Sequence, residues 1–194
     1  MPRGGGWRER IESMGPGEHF LLWTDGLSAS APVAERFIRG GLSRGDLVAI
    51  ATHPAELETL RRDLALQGLD LDDLARGNQL FVVTEDWSVD EPPSEGRVKS
   101  LFDRLHAAAT ERHSPGFSLL GRLAPRAFED GDVHTSWVLE RACHSRRGST
   151  RTLCPYDRSA LTLRRFEEAS TLLPFHTHTM TATDPGRYLI EAVR

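Results

Sequence analysis

The sequence predicts an α/β fold: a mostly parallel central sheet with helices on both faces. Three observations predict it. Five short, strongly apolar runs recur along the chain, each ending in polar residues. Segments of helical period separate them. The alternation runs through the chain with no internal repeat or low-complexity tract. Runs this apolar suit strands covered on both sides of a sheet.

Each element has a local reason. Residues 1–17 are rich in glycine and charge and read as a flexible lead-in, within which a helix around Trp7 to Met14 is the one candidate element. Residues 18–194 then form a single domain. His19 to Thr24 is the first strand. Val33, Phe37 and Ile38 recur at helical spacing from Ala31 to Gly40, and Gly40-Gly41 is expected to stop that helix. Gly45-Asp46 turns into a second strand, Leu47 to Ala51. Pro54 suits the first turn of a helix through Leu66, which Gly68 ends. Leu69 to Leu74 reads as a short helical turn and Asn78 to Val83 as the third strand. Trp87 to Pro93 is an acidic, proline-containing loop, the best candidate for a mobile segment. Arg97 to Arg112 is helical, with Val98, Leu101, Leu105 and Ala108 on one face. Phe117 to Leu123 is the fourth strand, Pro125 to Asp132 a polar loop, and Val133 to Arg146 a helix. Arg151 to Tyr156 is the fifth strand, Leu161 to Leu172 a further helix. Phe175 to Met180 and Tyr188 to Val193 are expected to add an edge strand or hairpin.

Composition excludes several classes. Of 194 residues, 27% are charged and 39% hydrophobic, with a net charge of -4. A chain of that sign has no general attraction for nucleic acid. Lys99 is the only lysine, so arginine supplies the rest of the 24 basic residues, a bias that fits a GC-rich genome. No apolar run approaches the ~20 residues that cross a bilayer, and the N-terminus has no apolar centre of a secretory signal. Two cysteines, Cys143 and Cys154, make no disulfide framework, so a cytoplasmic setting is expected.

The chemistry concentrates at strand ends. In Leu153-Cys154-Pro155-Tyr156-Asp157 a strand stops and a helix begins, and in an open α/β sheet that edge is where ligands bind. The first strand ends in Thr24-Asp25-Gly26-Leu27-Ser28-Ala29-Ser30, where an NTPase of this architecture carries its phosphate loop. There is no Gly-x-x-x-x-Gly-Lys-Ser/Thr motif and no lysine here, and Asp25 would repel a phosphate. ATP hydrolysis is not expected. Trp23, Trp87, Trp137 and Tyr156 are either core or, beside convergent polar groups, the wall of a small-molecule pocket. His176-Thr177-His178 alternates on an extended segment, so its histidines face opposite sides and read as surface or rim residues. No metal or other cofactor is assigned, although folding could still assemble a soft-metal site with Cys143, His144 and Cys154. Cys154 reads first as a buried thiol, Cys143 as helix packing and Glu140 as a solvated charge.

Four segments together resemble the MEDS domain, the sensory domain named for methanogens, methylotrophs and the dichloromethane regulator DcmR. They are His19-Phe20-Leu21-Leu22-Trp23, Gly41-Leu42-Ser43-Arg44-Gly45-Asp46, Gly77-Asn78-Gln79-Leu80 and Cys154-Pro155-Tyr156-Asp157. The similarity spans Glu18 to His178. It implies a RecA/KaiC-like domain without a P-loop that senses a small organic ligand, a hydrocarbon or one-carbon derivative. Such a domain signals to a partner kinase or transcription regulator. By position the resemblance makes His19, Cys154, Tyr156 and Asp157 signal-site residues. Trp23 stands where a smaller aromatic is expected. The strand-end pattern adds Trp23 and Asp25 to the ligand-binding set, with no catalytic residue. One pocket at the C-terminal ends of adjacent strands is therefore expected to hold His19, Trp23, Tyr156 and Asp157. No kinase or DNA-binding module is read in the chain, so the output is expected to pass to a separate protein. Contact with nucleic acid or membrane is not expected, and ring or dimer assembly is implied by the fold resemblance alone. The alternatives are a thiol- or metal-dependent enzyme using Cys154 with His19 or His176, and a pure interaction module.

Overall fold

In the computed structural model, residues 6–86, 93–145, 148, 150–184 and 186–193 are described. Among the described residues seven strands form one sheet in the order β3-β2-β4-β5-β1-β6-β7. They are β1 (His19–Thr24), β2 (Leu47–Thr52), β3 (Leu80–Thr84), β4 (Phe117–Gly121), β5 (Thr150–Asp157), β6 (His178–Asp184) and β7 (Arg187–Ala192). Every pairing is parallel except the β6–β7 hairpin, which closes one edge. The helices are α1 (Trp7–Glu12), α2 (Ala31–Arg44), α3 (Pro54–Leu66), α4 (Leu71–Arg76), α5 (Glu95–Glu111), α6 (Leu123–Glu129), α7 (Val133–Ser145) and α8 (Leu163–Ser170). Among the described residues no helix is long and apolar enough to cross a membrane.

Side chains alternate across a strand, so each strand feeds two cores. Phe20 and Leu22 of β1 join Val48, Ile50, Leu120 and Leu153 on the face covered by α1 to α4. Leu47, Ala49, Phe117 and Leu119 face α5, α6 and α7. Leu21, Cys154 and Tyr156 continue that second face with Phe128 and Leu172. Burial of this kind, about 1.5–3 kcal/mol per large apolar side chain, is what holds helices to the sheet.

Three sequence expectations change. The Gly40-Gly41 pair does not end α2, which runs to Arg44 and stops where Gly45 adopts φ 76°. The glycines permit close approach instead. A Cβ on Gly40 would lie 2.7 Å from the Glu12 carbonyl oxygen, and one on Gly41 would lie 2.8 Å from Val48 Cγ2. Residues 125–132 are not a loop, because α6 occupies most of them and buries Leu123, Ala124 and Phe128. The fourth strand correspondingly ends at Gly121. Within the expected lead-in, the α1 region is built into the domain: Ile11 and Met14 are buried in the first core. The loop expected at Trp87 to Pro93 falls almost wholly outside the described residues.

Candidate functional site

The strongest concentration of chemistry is a buried cluster on the second face of the sheet, beneath α7. His19 opens β1, and period-2 alternation puts it on the side of Leu21 and Trp23. Cys154 lies in β5, in register with Leu21, and Tyr156 with Trp23. Glu140 descends from α7, and His176 comes from the segment entering β6. His19, Glu140, Cys154 and His176 are each no more than 3% exposed. One donor atom from each lies within 4.8 Å of all the others.

The hydrogen bonds orient this cluster. His19 Nδ1 is 2.9 Å from the Phe175 carbonyl oxygen and His176 Nδ1 is 2.9 Å from that of Leu172. A carbonyl can only accept, so both Nδ1 atoms carry hydrogen and donate. A neutral ring then presents its Nε2 lone pair inward, and a protonated ring donates from Nε2 toward Glu140. His19 Nε2 is 3.2 Å from Cys154 Sγ and 3.2 Å from Glu140 Oε2. His176 Nε2 is 3.4 Å from Glu140 Oε2, yet among the described residues it has no partner of hydrogen-bonding geometry. Tyr156 donates its hydroxyl to Glu140 Oε1 at 2.5 Å.

Burial and charge act together here. Burial pushes the Glu140 carboxyl up, but His176 and His19 outweigh it and hold the group well below its usual range. Burial, with His176 alongside, lowers His19 despite the pull of Glu140. Burial and then the Glu140 charge push the Cys154 thiol and the Tyr156 phenol well up. Cys154 therefore stands as a thiol in this environment, with a poor thiolate supply for nucleophilic attack.

On the other side of Cys154 is an apolar cavity of about 20 Å³. Ala51 of β2, Leu119 and Gly121 of β4, Leu105 of α5 and Cys143 of α7 wall it together with Cys154. It is apolar throughout and just large enough for a group the size of one water or methyl. A concavity of about 630 Å³ between Glu95, Lys99 and Arg141 is an open surface groove lined by none of the four cluster residues.

The expected single pocket is divided. His19 lies at the opening of β1, whereas Asp157 closes β5 and Trp23 stands near the C-terminal end of β1. Trp23 packs against Tyr156 at a ring separation of 5.2 Å and against Phe128 at 6.5 Å. Asp25 is exposed and bound by Arg158, whose Nη2 donates to Oδ2 at 2.6 Å. Asp157 Oδ1 accepts from Ser159 N at 2.8 Å, capping the 3-10 turn Arg158–Ala160. So the structure joins His19, Cys154 and Tyr156 in one cluster and leaves Asp25 and Asp157 outside it.

Sequence reasoning missed Glu140 and carried His176 only in the enzyme alternative. Glu140 is buried, not solvated, and His176 is buried rather than on the rim. The alternation of His176 and His178 does hold, since His178 stacks on Phe20 in the first core, 4.5 Å between centroids. His144 and Cys143 do not join the cluster: His144 shares the Phe175 carbonyl with His19, and Cys143 lines the cavity. A usable signal existed in α7, where Ser136, Glu140 and Cys143 recur at helical spacing on the buried face.

At the C-terminal rim, Arg122 is buried between two carboxylates. It donates to Glu56 Oε1 at 2.6 Å and to Glu129 Oε2 at 2.9 Å. Glu129 also accepts from Asp157 N at 2.9 Å, tying β5 to α6. This rim is closed by its own ion pairs.

Comparison with known proteins agrees with this architecture. The family profile for MEDS, the MEthanogen/methylotroph, DcmR Sensory domain, matches residues 18–178. Among curated proteins no sequence matches the chain. A KaiC-like protein from Pyrococcus horikoshii OT3 superposes with a TM-score of 0.63 at 17% identity, covering 93% of this chain and 82% of that one. A second protein of the same organism gives 0.67 at 10% identity, covering 98% and 94%. At these identities the likeness shows the fold alone.

Proposed function

The chain belongs to the MEDS family of sensory domains, and on that premise we propose that it is a non-catalytic sensor of a small apolar organic molecule. The ligand enters the cavity beside Cys154, and the change is passed to a partner protein, a kinase or a transcription regulator. The observation that carries this reading is the apolar cavity walled by Cys154 and by α5, α6 and α7. A cavity this small selects hydrocarbon or one-carbon derivatives over nucleotides, with limited expansion by movement of the helices. Packed interfaces have discrete arrangements, so a ligand seated beneath α7 would favour one helix position and shift the population. The enzyme alternative has less support, because Cys154 is buried and held as a thiol.

The test is a thermal-shift and calorimetric screen of short hydrocarbons and halomethanes in sealed cells, with ATP as comparator. Stabilisation by a small organic and none by ATP is expected. Gly121→Ala supplies the control, since its added methyl would lie 3.3 Å from Cys154 Sγ, inside the cavity. Binding should weaken while the fold is kept. Binding of ATP alone, or no effect of Gly121→Ala on ligand affinity, would refute this reading.

A further inference from the structure

We propose that His19, Glu140, Cys154 and His176 form a closed four-ligand site for a divalent cation of the zinc class. The proposal does not rest on the sensing reading, although it shares Cys154 and α7 with the cavity: the histidine donors come from the β1 and β6 side of β5 and the cavity lies on the β4 side.

Geometry comes first. Metal–ligand lengths of about 2.0–2.3 Å at a tetrahedral angle require donor atoms roughly 3.3–3.6 Å apart. The distances are 3.2 Å for His19 Nε2 to Cys154 Sγ, and 3.2 and 3.4 Å for the two imidazoles to Glu140 Oε2. Cys154 Sγ to Glu140 Oε2 is 3.9 Å. These four edges lie within a few tenths of an ångström of the tetrahedral values, and the remaining two, from His176 Nε2 to His19 Nε2 and to Cys154 Sγ, are within 4.8 Å, so the ion would draw the His176 ring inward.

The second observation is the buried His176 Nε2, which is aimed into the cluster and, among the described residues, makes no hydrogen bond, with Glu140 Oε2 at 3.4 Å. An unpaired polar atom buried this deeply is costly, and coordination satisfies it. The supporting groups fit as well. Metal-bound histidines usually donate the other ring N–H to a carbonyl or carboxylate, which fixes the tautomer. Both histidines do so here, to Phe175 and Leu172. Tyr156 holds the second Glu140 oxygen, leaving Oε2 for the ion.

Charge closes too. Cys154 enters as the thiolate, its proton passing to solvent, and both imidazoles bind neutral through Nε2. Thiolate and carboxylate then balance the two positive charges, leaving a neutral site suited to a dry interior. Two imidazoles, a thiolate and a carboxylate favour zinc over calcium or magnesium, which prefer all-oxygen shells. With four protein ligands and no exposed face, the ion is structural. It pins α7 and the segment entering β6 to β1 and β5.

The test is metal analysis and native mass spectrometry of the full chain, followed by chelation and titration with zinc and cobalt(II). One ion per chain is expected. The cobalt form should show visible tetrahedral bands and a near-ultraviolet thiolate charge-transfer band. His176→Ala and Cys154→Ser should each weaken binding by more than about a hundredfold, and Tyr156→Phe by about tenfold. Cys143→Ala should bind like the parent chain. Failure of the parent chain to take up either metal would overturn the proposal, whatever the variants do. A cobalt spectrum lacking the thiolate band would overturn it too, as would unchanged affinity in a folded His176→Ala chain.

Discussion

Replacing Gly40 by alanine sets two effects of opposite sign against each other. In an exposed helix interior the change would stabilise by about 0.5–1 kcal/mol, because glycine loses more backbone entropy. Here the added Cβ would lie 2.7 Å from the Glu12 carbonyl oxygen and 2.8 Å from Glu12 Cα. Ordinary contact begins near 3.4 Å, so α1 must retreat by roughly 0.6–0.7 Å, and both obstacles are backbone. Overpacking of this kind costs about 1–3 kcal/mol. The retreat also strains the hydrogen bond that Arg44 donates to the same Glu12 carbonyl, and charged hydrogen bonds are worth about 1.5–3 kcal/mol. It loosens Ile11 and Met14 in the first core as well. The costs exceed the gain, and the net expectation is a loss of about 2 kcal/mol. For a chain of this length that is a fall in Tm of about 4–8 °C, read by circular dichroism or calorimetry. A Tm equal to or above that of the parent chain would refute the reasoning, and with it the conclusion that α1 is seated against α2.

Two further outcomes are expected. Arg122→Ala should cost about 3–5 kcal/mol in urea unfolding, because Glu56 and Glu129 lose the cation that they share at the rim; a change below about 1 kcal/mol would show that those carboxylates find solvent instead. Asp157→Ala should cost about 0.5–2 kcal/mol through loss of the bond to Ser159 N, while Asp157→Asn should be nearly neutral. If ligand affinity falls in Asp157→Asn at unchanged Tm, the residue contacts ligand rather than only capping the turn.

The elements were legible in the sequence where local physics decides them. The first strand, His19–Thr24, and the helix Pro54–Leu66 are read to the residue, because an apolar run with a polar end and a proline at the first turn are local signals. Where a neighbour decides, the reading failed. Gly40-Gly41 looks like a helix stop, yet it is a contact surface for Glu12, Val48 and Ser118. The segment around Pro125 looks like a loop, yet it is a short helix paired with α7.

The site divides along the same line. The sequence by itself determined an alternating α/β chain, a first strand not followed by a lysine-bearing phosphate loop, and the residues His19, Cys154 and Tyr156 as bearers of chemistry. The first two follow from residue type and from neighbours in the chain, and the three residues from the resemblance to the MEDS domain. Only the tertiary structure decided that Glu140 and His176 join them and that Asp25 and Asp157 do not. Glu140 and Cys154 are 14 residues apart, and His19 and Cys154 are 135 apart. Their meeting depends on β1 lying beside β5 and on α7 crossing above both. Strand order is set by which apolar faces pack together, and no local pattern encodes it.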